Sequence, residues 1–359
     1  MYNFDLITIL PLLVSFIATV VATPICLIFL KRYNIVDDPK KHKHPAIIHR
    51  KPIPRGGGIP LFMGVLVASL IFLPMTKVIV AMFIASFFSL LIGILDDKYD
   101  ISPYVRFLVN IACAIFVVYL GANIPFITNP LGGILYLNKI SIPLWQGTTV
   151  SLLSDTIAVL WIVWVMNMLN WSKGVDGQMP GIVAISAIII GILSLRFSPL
   201  DQTSATAATL SFIIAGASLG FLVFNFYPAK IFPGYGATCL YLMLAVASIL
   251  SSAKLATAIL VMGVPMTDGV FTIVRRILSG KSPFWHDKKH LHHLLLDLGV
   301  GQRRIALFYW TISAILGALS LVLSSKGKLF AIIMLVILVG GGILFLHFLT
   351  KHANDKPSI

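Results

Sequence analysis

Long apolar runs separated by short polar stretches make up most of this chain. The runs fall at about 6–30, 57–75, 78–95, 104–121, 151–169, 180–196, 205–227, 237–252, 255–274, 305–323 and 329–349, and a membrane-spanning helix needs about 20 such residues. The pattern predicts an all-α, polytopic integral membrane protein of about eleven transmembrane helices, forming one transmembrane domain over 1–359. The first run is too long for the apolar core of a secretory signal and has no small-residue cleavage site behind it, so it reads as the first span. The polar stretches left between runs lie at about 31–56, 96–103, 170–180, 228–236 and 275–304 on one side. The longest stretch on the other side, about 122–150, is Pro/Gly-punctuated, with a short hairpin expected around Ile134 to Ile142. No internal repeat of the kind built into many transporters is visible.

Composition agrees: 58% of the 359 residues are hydrophobic and only 11% are charged, against roughly 25% charged in a soluble domain. The net charge of +14 has a plainer source than nucleic acid, because Lys and Arg collect in cytoplasmic loops beside anionic lipid. With alternating crossings, 21 of the 27 cations lie on one side of the membrane, eight of them in 31–55 and seven in 275–304. The positive-inside bias therefore places the N-terminus outside and the C-terminus in the cytoplasm. Cys26, Cys113 and Cys239 all lie inside apolar runs and read as packing residues rather than a disulfide framework.

All 13 acidic residues are Asp. Ten fall on the cation-rich side, a bias that topology does not require, since acidic residues contribute little to orientation. Asp96 and Asp97 close the third run, where a helix C-terminus disfavours anions unless a metal ion or cationic partner offsets them, with a solvated turn as the alternative. Side by side on a helix they face about 100° apart and need not act together. Asn167 and Asn170 share a helix face ahead of Lys173-Gly-Val-Asp176-Gly; amide oxygens with a carboxylate suit Mg²⁺ or a nucleotide-sugar, and a plain Gly-capped helix end is the alternative. Phe232-Pro-Gly-Tyr-Gly before a helix offers backbone N–H groups for a phosphate, or is an ordinary connecting turn. Arg55, just before Gly56-Gly57-Gly58, is placed to meet a phosphate or to stiffen the entry to the second span. Asp268 within an apolar run is a functional candidate by its depth. Arg275, Arg276 and the run His286-Asp-Lys-Lys-His290-Leu-His292-His293 can hold a pyrophosphate, with zinc and a solvated basic loop as rivals. Gathered at one membrane face, these groups suit phosphoryl transfer between a soluble nucleotide-activated group and a lipid phosphate.

At these motifs the chain resembles the polyprenyl-phosphate N-acetylhexosamine-1-phosphate transferases. Five segments match in order: His49 through Gly58; Asp96-Asp97; Asn167-x-x-Asn170 through Gly177; the Phe232-Pro-Gly loop; and Pro265-x-x-Asp268, Arg275-Arg276 and His290-x-His292-His293. The resemblance implies transfer of an N-acetylhexosamine 1-phosphate from its UDP-sugar to a polyprenyl phosphate such as undecaprenyl phosphate. UMP is released, Mg²⁺ or Mn²⁺ is needed, and the site faces the cytoplasm of a bacterial plasma membrane. The last motif looks like the branch that uses UDP-N-acetylglucosamine for surface glycans, and less like the related phospho-N-acetylmuramoyl-pentapeptide translocase. Carried over by position, Asp96 and Asp97 would handle lipid phosphate and metal. Asn170 and Asp176 would hold metal or nucleotide. Asp268, Arg276 and the histidines would meet pyrophosphate or sugar. The resemblance implies membrane lipids as partners and allows a homodimer.

Two positions depart from the pattern, because Lys173 and Tyr235 stand where the family usually has Asp. Lys173 is expected to bind a substrate phosphate or to pair with Asp97. The alternatives are a catalytically impaired homologue and a lipid or sugar transporter.

Overall fold

The computed structural model describes residues 8–40, 49–130, 132–143, 149–197, 201–251, 255–285 and 288–354. Its helices are α1 Ile9–Arg32, α2 Gly58–Phe72, α3 Lys77–Tyr99, α4 Pro103–Tyr119, α5 Leu152–Trp171, α6 Gln178–Leu195, α7 Gln202–Asn225, α8 Thr238–Leu250, α9 Leu255–Val261, α10 Gly263–Leu278, α11 Leu291–Asp297, α12 Gln302–Val322 and α13 Ser325–Asn354. Seven of these are long and apolar enough to cross a membrane, three more are shorter and apolar, and α9 with α10 forms one pair bent by 83°. This is an all-α, multi-pass membrane architecture.

Burial sorts the helices into a centre and a rim. The spans of α6 and α7 are 78% buried, whereas α1 and α13 are 22% and 17% buried. The rim helices present Ile25, Ile28, Leu338 and Leu344 outward, as lipid-facing surfaces do, since hydrocarbon exacts no cost for an exposed Leu. In the centre, small residues let helices meet at backbone distance. A Cβ on Gly216 would strike the Leu12 carbonyl of α1, and one on Gly64 would strike Thr19. Several Ser and Thr inside the spans turn their hydroxyls onto the carbonyl four residues back, as Thr19 does to Ser15 (2.9 Å) and Ser211 to Ala207 (2.7 Å), which satisfies those hydroxyls within their own helix.

The stretch at 122–150 differs from expectation. It forms two hairpins rather than one: β3 Phe126–Thr128 pairs with β4 Ile134–Tyr136, and β5 Ser141–Pro143 pairs with β6 Thr149–Ser151. The apolar segment Ile134 to Ile142 is therefore split between two partners. On the opposite side, β1 Val36–Asp37 pairs with β2 Ile53–Pro54. From there the chain runs alongside the 228–236 loop. Phe232 N–H donates to the Pro54 carbonyl (2.8 Å), and Gly57 and Gly58 N–H donate to Phe232 and Pro233 (3.0 and 3.1 Å). These bonds fasten the first polar loop to the fourth. The 275–304 stretch holds the end of α10, α11 with the turns on either side of it, and the start of α12; its His286 and Asp287 lie outside the described residues.

Candidate functional site

The packing that builds the site begins with three glycines. A Cβ on Gly58 at the start of α2 would run into the Gly236 backbone, and so would a Cβ on Gly93 in α3. Only Gly lets the Tyr235–Ala237 turn lie against both helices. That contact brings the turn to the end of α3, where Tyr235 N–H donates to Asp97 Oδ1 (2.8 Å). The Gly-rich turn thus spends one of its N–H groups on a carboxylate of the protein, where the sequence offered it for a phosphate.

Asp96 and Asp97 meet different partners, as their separate directions on the helix allow. Asp96 is 2% exposed and is held by Arg106 Nη1, at 3.0 Å from Oδ1 and 2.9 Å from Oδ2. Arg106 lies in the first turn of α4, just past the Ser102–Pro103 entry. Asp97 lies 3.4 Å from Arg55 Nε at Oδ1, and its buried Oδ2 has no protein partner. Lys173 reaches the same place from the loop between α5 and α6, donating to the Gly234 carbonyl (2.9 Å). The Tyr235 ring lies 4.8 Å from the Arg106 guanidinium and 5.8 Å from the Lys173 ammonium, and its hydroxyl takes a hydrogen bond from Asn110 (3.0 Å). Burial pulls the Lys173 ammonium down to about 8, the neighbouring Asp97 opposing the shift, and burial pushes the Tyr235 phenol up to about 12.

The remaining predicted residues divide between cavity wall and support. Asn170 and Asn167 both line the cavity. Asn167 spends its amide on the Val163 carbonyl (2.7 Å), whereas the buried Oδ1 of Asn170 has no partner. Asp176 lines the cavity, yet it also ties loops together, accepting from Ala229 N–H (2.9 Å), while its own N–H donates to Gln302 (3.2 Å). Burial raises its pKa. Asp268 accepts from His290 Nδ1 (2.7 Å) and from Leu291 N–H (3.0 Å), so it orients the histidines from behind. His290 and His292 stack with centroids 5.5 Å apart, and His292 and His293 lie at 4.3 Å. Burial depresses His292 well below the usual imidazole range and brings His293 to about 4. Both shifts favour the uncharged imidazole at neutral pH, so these two rings are suited to hydrogen-bonding a ligand rather than to pairing with it as cations. Arg276 lines the cavity and donates to the Pro283 carbonyl; Arg275 donates outside it, to the Lys289 carbonyl (3.1 Å).

Three residues carry the site without having stood out in the sequence. Arg106 and Asn110, one turn apart on α4, hold Asp96 and Tyr235. Asn225 ends α7 and joins two loops, accepting from Gly177 N–H (3.1 Å) and donating to the Ile231 carbonyl (2.8 Å). The signal for Arg106 was available: a lone cation in the first turn of the helix that follows a buried Asp pair.

Arg55, Asp96, Asp97, Asn170, Lys173, Asp176, Arg276 and the three histidines line one cavity of about 650 Å³, within the range of small-molecule sites, whereas Asn110, Asp268 and Arg275 do not line it. Its walls fit a divalent ion poorly. Among the described residues no group of three or more His, Cys, Asp or Glu side chains is placed to hold a metal. Asp96 is held by Arg106 and Asp97 is paired with Arg55, and the Lys173 charge also acts on Asp97, so these two carboxylates already face three cations of the protein. Mg²⁺ takes oxygen ligands in a near-octahedral shell, and the Lys173 ammonium, held on the Gly234 carbonyl near Asp97, repels a second cation there.

Residues 79–252 match the family model described as glycosyl transferase family 4. The chain is 31% identical over 336 residues to a probable undecaprenyl-phosphate N-acetylglucosaminyl 1-phosphate transferase of Bacillus subtilis, covering 90% of this chain and 88% of that protein. It is 31% identical over 374 residues to the decaprenyl-phosphate N-acetylglucosaminephosphotransferase of Mycobacterium leprae, covering 95% and 90%. A phospho-N-acetylmuramoyl-pentapeptide-transferase of Moorella thermoacetica is 26% identical over 328 residues, covering 87% and 97%. With Asp96-Asp97, Asn167-x-x-Asn170, Gly-Val-Asp176-Gly and the His290-x-His292-His293 run converging on one cavity, the chain belongs to the polyprenyl-phosphate N-acetylhexosamine-1-phosphate transferase family.

Proposed function

We propose that this protein is a glycosyl-1-phosphate transferase, moving N-acetylglucosamine 1-phosphate from its UDP-sugar to a polyprenyl phosphate. In the proposed reaction an oxygen of the acceptor phosphate bonds to the sugar-linked phosphorus of the donor. The bond from that phosphorus to the bridging oxygen breaks, and UMP departs with the electron pair. Catalysis of this kind is positioning and charge neutralisation. Of the cations that line the cavity, Arg55, Lys173 and Arg276 are proposed to neutralise the phosphates. Asp97 Oδ2, buried without a partner, is placed to take the remaining proton of an acceptor phosphate. Asn170 Oδ1 is placed to accept from the sugar or the base. Asp268 is a positioning residue, acting through His290.

One observation carries the reading: the polar cavity adjoins an apolar cleft. Trp161, Trp164, Met266, Val270, Phe271 and Leu335 line a cleft of about 270 Å³. The Trp164 ring meets Trp171 of the cavity wall at 6.4 Å. A phosphate in the cavity joined to a hydrocarbon chain in the cleft describes a polyprenyl phosphate.

The proposed topology is eleven crossings of a bacterial plasma membrane by one domain, α9 and α10 counting as a single broken span. The N-terminus is outside, the C-terminus is cytoplasmic, and the cavity lies on the cytoplasmic side where the cations collect. Membranes carrying the wild-type chain should convert UDP-[¹⁴C]N-acetylglucosamine and undecaprenyl phosphate into organic-soluble label, and Asp97→Asn should reduce the rate at least about a hundredfold. Equal rates for the two would remove Asp97 from the chemistry.

A further inference from the structure

The centre of the cavity is organised around an ammonium. Lys173 is fixed by the Gly234 carbonyl at 2.9 Å and lies 5.8 Å from the Tyr235 ring. That ring is itself fixed, since Asn110 holds its hydroxyl at 3.0 Å and the Arg106 guanidinium lies 4.8 Å from its centre. A cation near an aromatic face is attracted by the ring quadrupole. Tyr235 also presents the backbone N–H that grips Asp97 Oδ1 at 2.8 Å. One residue therefore places both the carboxylate and the neighbouring cation. Arg55 approaches the same carboxylate from the first loop, at 3.4 Å. The two positions that depart from the family pattern are thus structurally coupled.

We propose that this cavity binds the diphosphate of its nucleotide through resident cations, Lys173 with Arg55, and that Lys173 and Tyr235 together take the place of a divalent ion beside Asp97. The ligand class rests on the proposed function; the cation assignment does not, because it follows from the charges around Asp97. Two expectations separate this arrangement from a metal site. Nucleotide affinity does not depend on free divalent ion, and the protein itself binds such ions weakly. Removing the ammonium weakens nucleotide binding, and putting carboxylates in place of Lys173 and Tyr235 tightens binding of the ion.

The test uses the full-length protein in nanodiscs with two probes, Mn²⁺ alone followed by electron paramagnetic resonance, and UDP-N-acetylglucosamine followed by calorimetry in excess Mg²⁺ or excess EDTA. For wild type, the nucleotide-sugar should bind with affinities within about twofold in the two buffers, and Mn²⁺ should bind no tighter than about millimolar. Lys173→Met, which keeps length and removes charge, should lower nucleotide affinity at least about tenfold. Lys173→Asp with Tyr235→Asp, adding two carboxylates beside Asp97, should tighten Mn²⁺ at least about tenfold. A stoichiometric micromolar Mn²⁺ site in wild type, or a tenfold loss of nucleotide affinity in EDTA, overturns the proposal. If the double variant does not fold, Lys173→Met decides the cation: unchanged Mn²⁺ and nucleotide affinities in it also overturn the proposal. Absence of nucleotide binding in both buffers overturns the assigned ligand and the proposed function together, while the Mn²⁺ arm still decides the cation assignment.

Discussion

Replacing Arg106 with Leu isolates the interaction that makes a buried Asp96 tolerable at the end of α3. Asp96 is 2% exposed, and one guanidinium nitrogen lies 3.0 and 2.9 Å from its two oxygens. At that distance the Coulomb attraction is about 6 kcal/mol with an effective dielectric near 20, most of it offset by desolvation of the pair. Removing one partner of a buried pair costs about 3–5 kcal/mol, because the other charge is left uncompensated. The Arg106 side chain keeps 16% exposure, so water softens the loss and about 3 kcal/mol is the expected cost. Loss of the Tyr235 contact adds about 0.5–1 kcal/mol. Asp96→Asn should cost less, about 1–2 kcal/mol, since Arg106 can turn toward solvent. The double variant should be more stable than the sum of the single losses predicts, by about 2 kcal/mol. Thermal unfolding in nanodiscs reads this as a drop of roughly 5 °C or more for Arg106→Leu, partly restored by adding Asp96→Asn. An Arg106→Leu midpoint within about 1 °C of wild type, or single losses that simply add, would refute the pairing as the reason Asp96 is tolerated.

Other expectations follow from the same geometry. Gly58→Ala drives a methyl into the Gly236 backbone, and since neither partner can give way it should cost at least about 2 kcal/mol, seen as a lower unfolding midpoint together with weakened nucleotide binding. Tyr235→Phe leaves the buried Asn110 amide without its 3.0 Å partner and should cost about 1–2 kcal/mol by the same measurement. His293 sits at about 4 in the folded protein through burial, against about 6.5 when unfolded. Its contribution to stability is therefore present above about pH 6.5 and is lost as pH falls toward 4, by at most about 3 kcal/mol. His293→Gln should flatten the acid limb of a midpoint-versus-pH curve, and an unchanged limb would count against the burial of that ring.

The helices were legible because each is an unbroken apolar run bounded by charges or by Pro and Gly. The run at 255–274 was legible as a span but not as a broken one. Gly263 and Pro265 stand at the break between α9 and α10, where the chain bends by 83°, and Gly and Pro are where such bends form, yet the hydropathy of the run continues across them. The two hairpins at 122–150 were hidden for a related reason: alternation is weak where both faces are exposed, as the Ile134–Tyr136 strand is. At the site, residue types named most participants, but partnerships came only with the fold. Asp97 and Tyr235 are far apart in sequence yet share a hydrogen bond, and Asp268 shows as a support for His290 only once that ring is placed against it. Lys173 and Tyr235 each broke an expected pattern in the sequence; packed together, they form one arrangement.

The central claim is that sugar and phosphate move together, and a donor labelled at its sugar-linked phosphate tests it directly. With UDP-N-acetylglucosamine carrying ³²P at that position and undecaprenyl phosphate in nanodiscs with the wild-type protein, the account predicts that label enters the lipid phase in step with the release of UMP. Sugar entering the lipid while the ³²P remains in water-soluble UDP, or no lipid-linked label from a protein that binds the donor, would contradict it.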